Sequence, residues 1–167
     1  MAIVICLPQA EPEGIKIRLT TKSRYGLRAL TDLAEQDLNV PQPLVQIAAR
    51  QDLSVKYLEQ TFLLLRKAGL VRSVKGTRGG YLLTDDPAKI TLDHVIAVLE
   101  GDTDLIGMSA DSSDSQTPLH LFLDRTVWEP LNSLTASFYA GLTLADIAGS
   151  PERRHSAVRL ARSAFSK

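Results

Sequence analysis

The chain has 167 residues, 44% of them hydrophobic, with 19 Lys+Arg balanced by 19 Asp+Glu, which is apolar material enough for one buried core and an appendage. No run approaches the length of a membrane span, the apolar stretch Ile3 to Leu7 lacks the basic flank of a secretory signal, and a single cysteine, Cys6, cannot form an internal disulfide. A cytoplasmic globular protein with no membrane role is the expectation. The even charge balance hides a segregation. Residues 15–81 hold twelve Lys+Arg against five Asp+Glu, and the rest of the chain holds seven against fourteen. A basic first half joined to an acidic remainder suits a polyanion-binding face, with double-stranded DNA as the expected partner.

In chain order, residues 1–17 form an N-terminal extension expected to be disordered. Thr20 and Thr21 are candidate N-caps for a helix running to about Gln36, with Leu27, Leu30, Leu33 and Ala34 on its apolar side. Asn39 to Pro43 ends it. Leu44, Ile47 and Ala48 mark a short second helix to about Gln51. Asp52 tolerates the left-handed backbone that a tight turn needs, and Ser54 is a candidate cap for a third helix from Val55 to Ala68, where Val55, Leu58, Phe62 and Leu65 make a buried stripe. Two helices joined this tightly are a helix-turn-helix candidate.

Gly69 ends the third helix. Leu70 to Lys75 and Tyr81 to Leu83 have strand character around a glycine-rich tip, Gly76 to Gly80, which reads as a hairpin wing. No GK[ST] follows, and the flanks are strand-turn-strand, so a nucleotide-binding loop is discounted. A helix capped by Thr91 should pack Val95, Ile96 and Leu99. The Asp/Ser/Thr-rich stretch that follows reads as a mobile loop. Beyond it, Leu119, Leu123, Val127, Leu131, Leu134 and Phe138, broadened by Phe122 and Trp128, form an apolar stripe that needs a partner, and Pro130 should kink or split that helix. Thr143 to Ala148 reads as one more turn. The expected fold class is mainly α with a small β-hairpin wing: a winged helix-turn-helix over residues 18–100, a flexible loop at 101–117, a dimerisation helix region at 118–149, and a loosely held tail at 150–167.

In such a fold the second helix of the pair enters the major groove. Its exposed residues near the start are Ser54, Lys56, Tyr57, Glu59 and Gln60. Gln can pair with adenine at two points, Lys can donate to guanine, and Glu can accept from the cytosine amino group. Glu59 is therefore read as a discriminator of sequence, with a solvated helix charge as the plainer alternative. Lys22, Arg24 and Arg28, with the backbone N–H groups that begin the first helix, suit phosphate anchoring. In the wing, Lys75 and Arg78 flank Gly76, and an arginine there can enter the minor groove. No Cys/His, Ser/His or paired-carboxylate constellation has catalytic spacing, so an enzyme is not expected.

The segments Leu19-Thr-Thr-Lys-Ser-Arg-Tyr-Gly-Leu-Arg-Ala-Leu, Tyr57-Leu-Glu-Gln with Leu65-Arg-Lys-Ala-Gly-Leu-Val, and Val74-Lys-Gly-Thr-Arg-Gly-Gly-Tyr-Leu-Leu together resemble the Rrf-type winged helix-turn-helix regulators, the IscR/NsrR/CymR family. Leu142-Thr-Leu-Ala-Asp-Ile resembles that family's C-terminal signature, and the likeness covers about residues 18–148. The resemblance implies a transcriptional regulator, expected to be a repressor, that binds a palindromic operator as a homodimer joined through the long helix, with Leu119, Leu123, Val127, Leu131, Leu134 and Phe138 at the joint. It also implies that Glu59 and Gln60 read bases while Arg24, Tyr25, Lys56, Lys75 and Gly76 support DNA contact.

Many family members hold an iron–sulfur cluster on three cysteines in the loop and the start of the long helix. This chain has none there, and Phe122 and Arg125 stand where the family often has its last cysteine and histidine. Thiolates bind such clusters, so no cofactor is expected and the chain resembles the cluster-free, CymR-like branch. That branch implies a protein partner that tunes DNA binding, and docking on a metabolic enzyme such as cysteine synthase is the alternative reading. Between Gly101 and Trp128 the soft ligand candidates are His120 and Met108, and His94, His120 and the loop aspartates Asp102, Asp104, Asp111 and Asp114 match no compact metal site. Cys6, upstream of the usual family start, is read as a buried or incidental cysteine, with a redox sensor as the alternative.

Overall fold

The computed structural model describes residues 19–101 and 117–149. Cys6, the N-terminal extension, the loop aspartates and the tail lie outside the described residues. Helix α1 (Thr21–Ala34) starts at Thr20, whose extended backbone lets Oγ1 accept the Ser23 N–H at 3.3 Å. Thr20, not Thr21, is thus the cap. Ala29, Leu30 and Leu33 are buried at spacings of three and four, with Leu27 and Ala34 packed at their margin.

Helix α2 (Leu44–Gln51) buries Ile47 and Ala48 and ends at Asp52, which adopts the left-handed backbone that aspartate tolerates (φ 51°, ψ 55°). Leu53 then donates its N–H back to the Ala48 carbonyl at 2.9 Å. Helix α3 (Val55–Lys67) sinks Leu58, Phe62 and Leu65 into the core, with Val55 half-buried beside them. Ser54 occupies the N-cap position but makes no side-chain cap bond, so its hydroxyl is not committed to the helix. Past the end of α3, Leu70 donates to the Leu65 carbonyl at 2.9 Å, which closes the helix and turns the chain into the hairpin.

Strands β1 (Val71–Val74) and β2 (Gly80–Leu83) pair antiparallel, Val71 opposite Leu83 and Val74 opposite Gly80. A lone two-stranded hairpin is marginal in water. This one gains a third, one-residue strand. Gln42, between α1 and α2, donates its N–H to the Tyr81 carbonyl and accepts the Tyr81 N–H, both at 2.9 Å. Tyr81 also packs edge-on against Phe62, ring centroids 4.8 Å apart, which holds the hairpin to α3. Gly80 is required by that docking, because a Cβ there would lie 2.4 Å from the backbone carbonyl of Gln42.

A 3-10 turn (Pro87–Lys89), absent from the sequence reading, leads to α4 (Leu92–Glu100), which buries Leu92, Val95, Ile96 and Leu99. Thr91 precedes α4 without a side-chain cap bond. It lies in a bridge to Thr143 instead: Leu92 donates to the Leu142 carbonyl and Leu144 to the Ile90 carbonyl, each at 2.8 Å. Helix α7 (Leu144–Ile147) is short but carries a full capping box between Thr143 and Asp146, and Leu144 is fully buried in the main core.

The long C-terminal helix is α5 (Pro118–Leu123), a π turn (Asp124–Trp128) and α6 (Glu129–Ala140) in unbroken succession. Of the kink or split expected at Pro130, the split does not occur. Glu129 donates to the Asp124 carbonyl five residues back, so the widened turn absorbs the missing proline N–H and the helix continues. Gly80→Ala should misdock the wing and cost about 1–3 kcal/mol, the usual range for overpacking, because the atoms it meets are backbone and cannot swing away. The midpoint of chemical denaturation checks it.

Candidate nucleic-acid interface

The helix-turn-helix is assembled around one buried carboxylate. Asp32 follows Ala29 by three residues, so it points from α1 into the core and is only 3% exposed. Arg50, in the last turn of α2, grips it with Nε at 3.0 Å and Nη2 at 2.7 Å. Gln51 adds an Nε2 donor to Oδ1 at 2.9 Å, and Arg50 Nη2 also donates to Gln42 Oε1 at 3.3 Å. The hydrogen bonds that Arg50 donates to Asp32 are the main cause that raises the Arg50 pKa above its ordinary value, against a smaller opposing effect of burial. The guanidinium therefore stays charged, and one cluster ties α1 to α2 and reaches the residue on which the wing docks.

With α3 so held, its buried stripe leaves Lys56, Glu59 and Gln60 exposed as a row at i, i+3 and i+4, with Ser54 exposed just ahead of it. Tyr57 is half-buried between α3 and α1, its ring edge-on to Tyr25 with centroids 5.5 Å apart. Burial, then the neighbouring Tyr25 and Glu100, pushes the Tyr57 phenol above its ordinary pKa, so at neutral pH it is a hydrogen-bond donor. The pair of tyrosines joins the first half of α1 to the start of the recognition helix.

On α1, Arg24 is exposed and Lys22 partly so. Arg28 is exposed too, but its guanidinium lies 5.7 Å over the Tyr25 ring and one Nη donates to the Gln51 carbonyl at the end of α2. It braces the turn between the helices, and its remaining N–H groups are what it can offer to a phosphate. The first-turn N–H groups, expected to be open to phosphate, are partly committed: Ser23 donates to Thr20, and Thr20 donates from both N and Oγ1 to Glu100 Oε1 at 3.0 Å. At the wing tip Lys75, Gly76 and Arg78 are exposed, with Gly76 at φ +115° and its carbonyl accepting the Gly79 N–H at 2.9 Å.

The apolar stripe of the long helix is largely uncovered: Leu119 is 66% exposed, Phe122 60% and Leu134 49%, with Leu123 and Val127 also exposed and Leu131 half-buried. Phe138 differs from the rest, since it packs in its own chain against the small cluster of Leu92 and Leu142. Among the described residues no three His, Cys, Asp or Glu side chains come together as a metal site; His120 Nδ1 instead lies 3.1 Å from Asp124 Oδ2 one turn on. No helix among the described residues is long and apolar enough to cross a membrane. Sequence reasoning missed Asp32, Arg50, Gln42 and Glu100. Only Asp32 left a signal, as a lone carboxylate on an apolar helix face.

A tight helix pair, a polar row on its second helix and a docked hairpin define a winged helix-turn-helix DNA-binding protein. Residues 19–150 match the Rrf2 family, described as an iron-dependent transcriptional regulator, and the chain belongs to that family. It is 39% identical over 131 residues to the HTH-type transcriptional regulator IscR of Photobacterium profundum, spanning 78% of this chain and 75% of that one. The structure is similar to that of T. potens IscR (38% identity, TM-score 0.63, 78% of this chain and 85% of that chain). It is also similar to CymR, the global cysteine regulator of B. subtilis (34% identity, TM-score 0.66, 78% and 95%). The protein is thus a transcription regulator and not an enzyme, in agreement with the sequence reading.

Four substitutions test this arrangement. Arg50→Ala leaves Asp32 buried without its cation and should cost on the order of 3 kcal/mol of stability, measured by denaturant titration; Asp32→Asn, which can keep hydrogen bonds without a charge, should cost less. Arg24→Ala should weaken binding to all duplexes and lower the salt slope by about 1, whereas Glu59→Ala should relax discrimination at one base pair. Fluorescence anisotropy across a salt series separates the two.

Proposed function

We propose that this protein is a homodimeric, sequence-specific repressor that binds a palindromic operator and works without an iron–sulfur cluster. The observation that carries the reading is the exposed row Lys56, Glu59 and Gln60 on a helix whose opposite face is locked into the core. That row reads bases in the major groove, with Arg24 and Lys22 on the flanking phosphates and the wing tip at a neighbouring groove. Lys75 and Arg78 supply the wing's charge.

The dimer is supported by the uncovered stripe on α5 and α6, since exposed apolar patches of this kind mark protein–protein contacts. Leu119, Leu123, Val127, Leu131 and Leu134 meet their copies, and two-fold symmetry sets two recognition helices on two half-sites. For the cofactor, the donor set does not fit. The whole sequence holds one cysteine, Cys6, and clusters of this kind are held by several thiolates. On the long helix His120 is paired with Asp124. Regulation is therefore independent of a cluster.

Selection of duplexes from a random library at graded salt, beside the anaerobic absorption spectrum and an iron and sulfide assay, tests the whole reading. A colourless, iron-free protein that enriches one palindrome is expected; brown, iron-loaded protein overturns the cofactor reading, and single half-sites overturn the dimer. Leu119→Asp with Leu134→Asp should turn the sedimenting species from dimer to monomer with the helical signal kept, and palindrome binding should fall with it. Transcription in vitro from a promoter overlapping the enriched site should drop when the protein is added, and a rise would mean activation.

A further inference from the structure

Glu100 is the last residue of α4 and stands directly before Gly101, where the chain turns left-handed (φ +88°) into the segment leading to the long helix. Its Oε1 reaches across eighty residues of sequence to accept both the N–H and the hydroxyl of Thr20 at 3.0 Å. Thr20 is the cap of α1. Its hydroxyl gives its proton to Glu100 and so turns its lone pairs to the Ser23 N–H at 3.3 Å. The capping bond is thereby set by a carboxylate from another helix. A negative group at this end is also favoured by the α1 dipole.

The same carboxylate lies where several elements meet. Its charge is felt by Tyr57 on the recognition helix and by Tyr139 on α6. Burial alone would raise its own pKa, yet Ser23, the two donors of Thr20 and the charge of Lys22 outweigh burial and hold it below the ordinary carboxylate range. A group depressed in this way stabilises the fold above its unfolded value of about 4.5 and loses that contribution as pH falls through the folded value.

We infer that Glu100 is a positioning residue for DNA binding: by clamping Thr20 it fixes the first turn of α1, so that Lys22 and Arg24 face the phosphate backbone. Loss of the clamp reaches the phosphate-binding turn through one carboxylate. Nothing in the recognition row has to move. Affinity changes while base preference stays the same.

The inference rests on DNA binding but not on a palindrome, so it is tested on a mixed-sequence duplex, where phosphate contacts alone bind. Salt slopes are measured by anisotropy for wild type, Thr20→Val, Glu100→Ala and the double variant, each checked for thermal unfolding. Each single change should lower the slope by about 1 to 2, the loss of one or both of the Lys22 and Arg24 contacts, and the double change should lower it by much less than the sum, because the Thr20 hydroxyl and the Glu100 carboxylate act through one shared bond. Glu100→Gln, which keeps an acceptor oxygen, should recover most of the slope, and it serves also if the alanine variant fails to fold. Additive losses, or slopes equal to wild type in Glu100→Ala, overturn the inference. Tighter binding in both Glu100 variants would overturn it as well, since the carboxylate would then act only by repelling phosphate.

Discussion

The Asp32–Arg50 ion pair is the constraint on which the DNA-binding half depends. A carboxylate 3% exposed is costly to bury unless it is fully paired, and pairing it needs α2 at one distance and one angle from α1. Arg50 and Gln51 supply the donors from adjacent positions, so α2 cannot slide or roll without leaving an oxygen unsatisfied. The turn at Asp52 then fixes where α3 begins. Since the arginine also touches Gln42, whose backbone carries the hairpin through Tyr81, the angle of the helix pair and the attachment of the wing share one polar cluster.

Around that cluster the surface divides by function. Residues that meet bases in the proposed complex, Lys56, Glu59 and Gln60, are exposed at helical spacing. Residues that hold the frame look similar in sequence but are committed: Arg28 is spent largely on Gln51 and Tyr25, and Thr20 on Glu100. A cation on the first helix is therefore no sufficient sign of a phosphate contact. What decides is whether a carbonyl of the same chain lies within reach.

The long helix shows a second kind of compromise. Pro130 would break a regular α-helix, and a π turn immediately before it removes the need for the missing donor. The stripe runs on to Leu134, and near its end Phe138 turns back onto Leu92 and Leu142. The helix is thus fastened to its own domain at one end and presents its apolar residues outward at the other.

Much was legible in the chain alone. Hydrophobic spacing gave α1, α3 and α4, because burying a stripe at a period of 3.6 leaves a mark on every turn, and glycine placement gave the wing, because only that residue tolerates the required φ at Gly76 or the close approach at Gly80. The recognition row followed as the complement of the buried face. Long-range polar pairings left no such mark. Gln42 with Tyr81, Thr91 with Thr143, Arg50 with Asp32 and Glu100 with Thr20 each join residues far apart in sequence, and a hydrogen bond needs only one donor and one acceptor, with no periodicity to betray it. Local pattern determined which segments are helix, hairpin and apolar stripe; which cations stay free, where the wing docks and how the proline is absorbed were decided by the tertiary structure, because those depend on distances that only the folded chain sets.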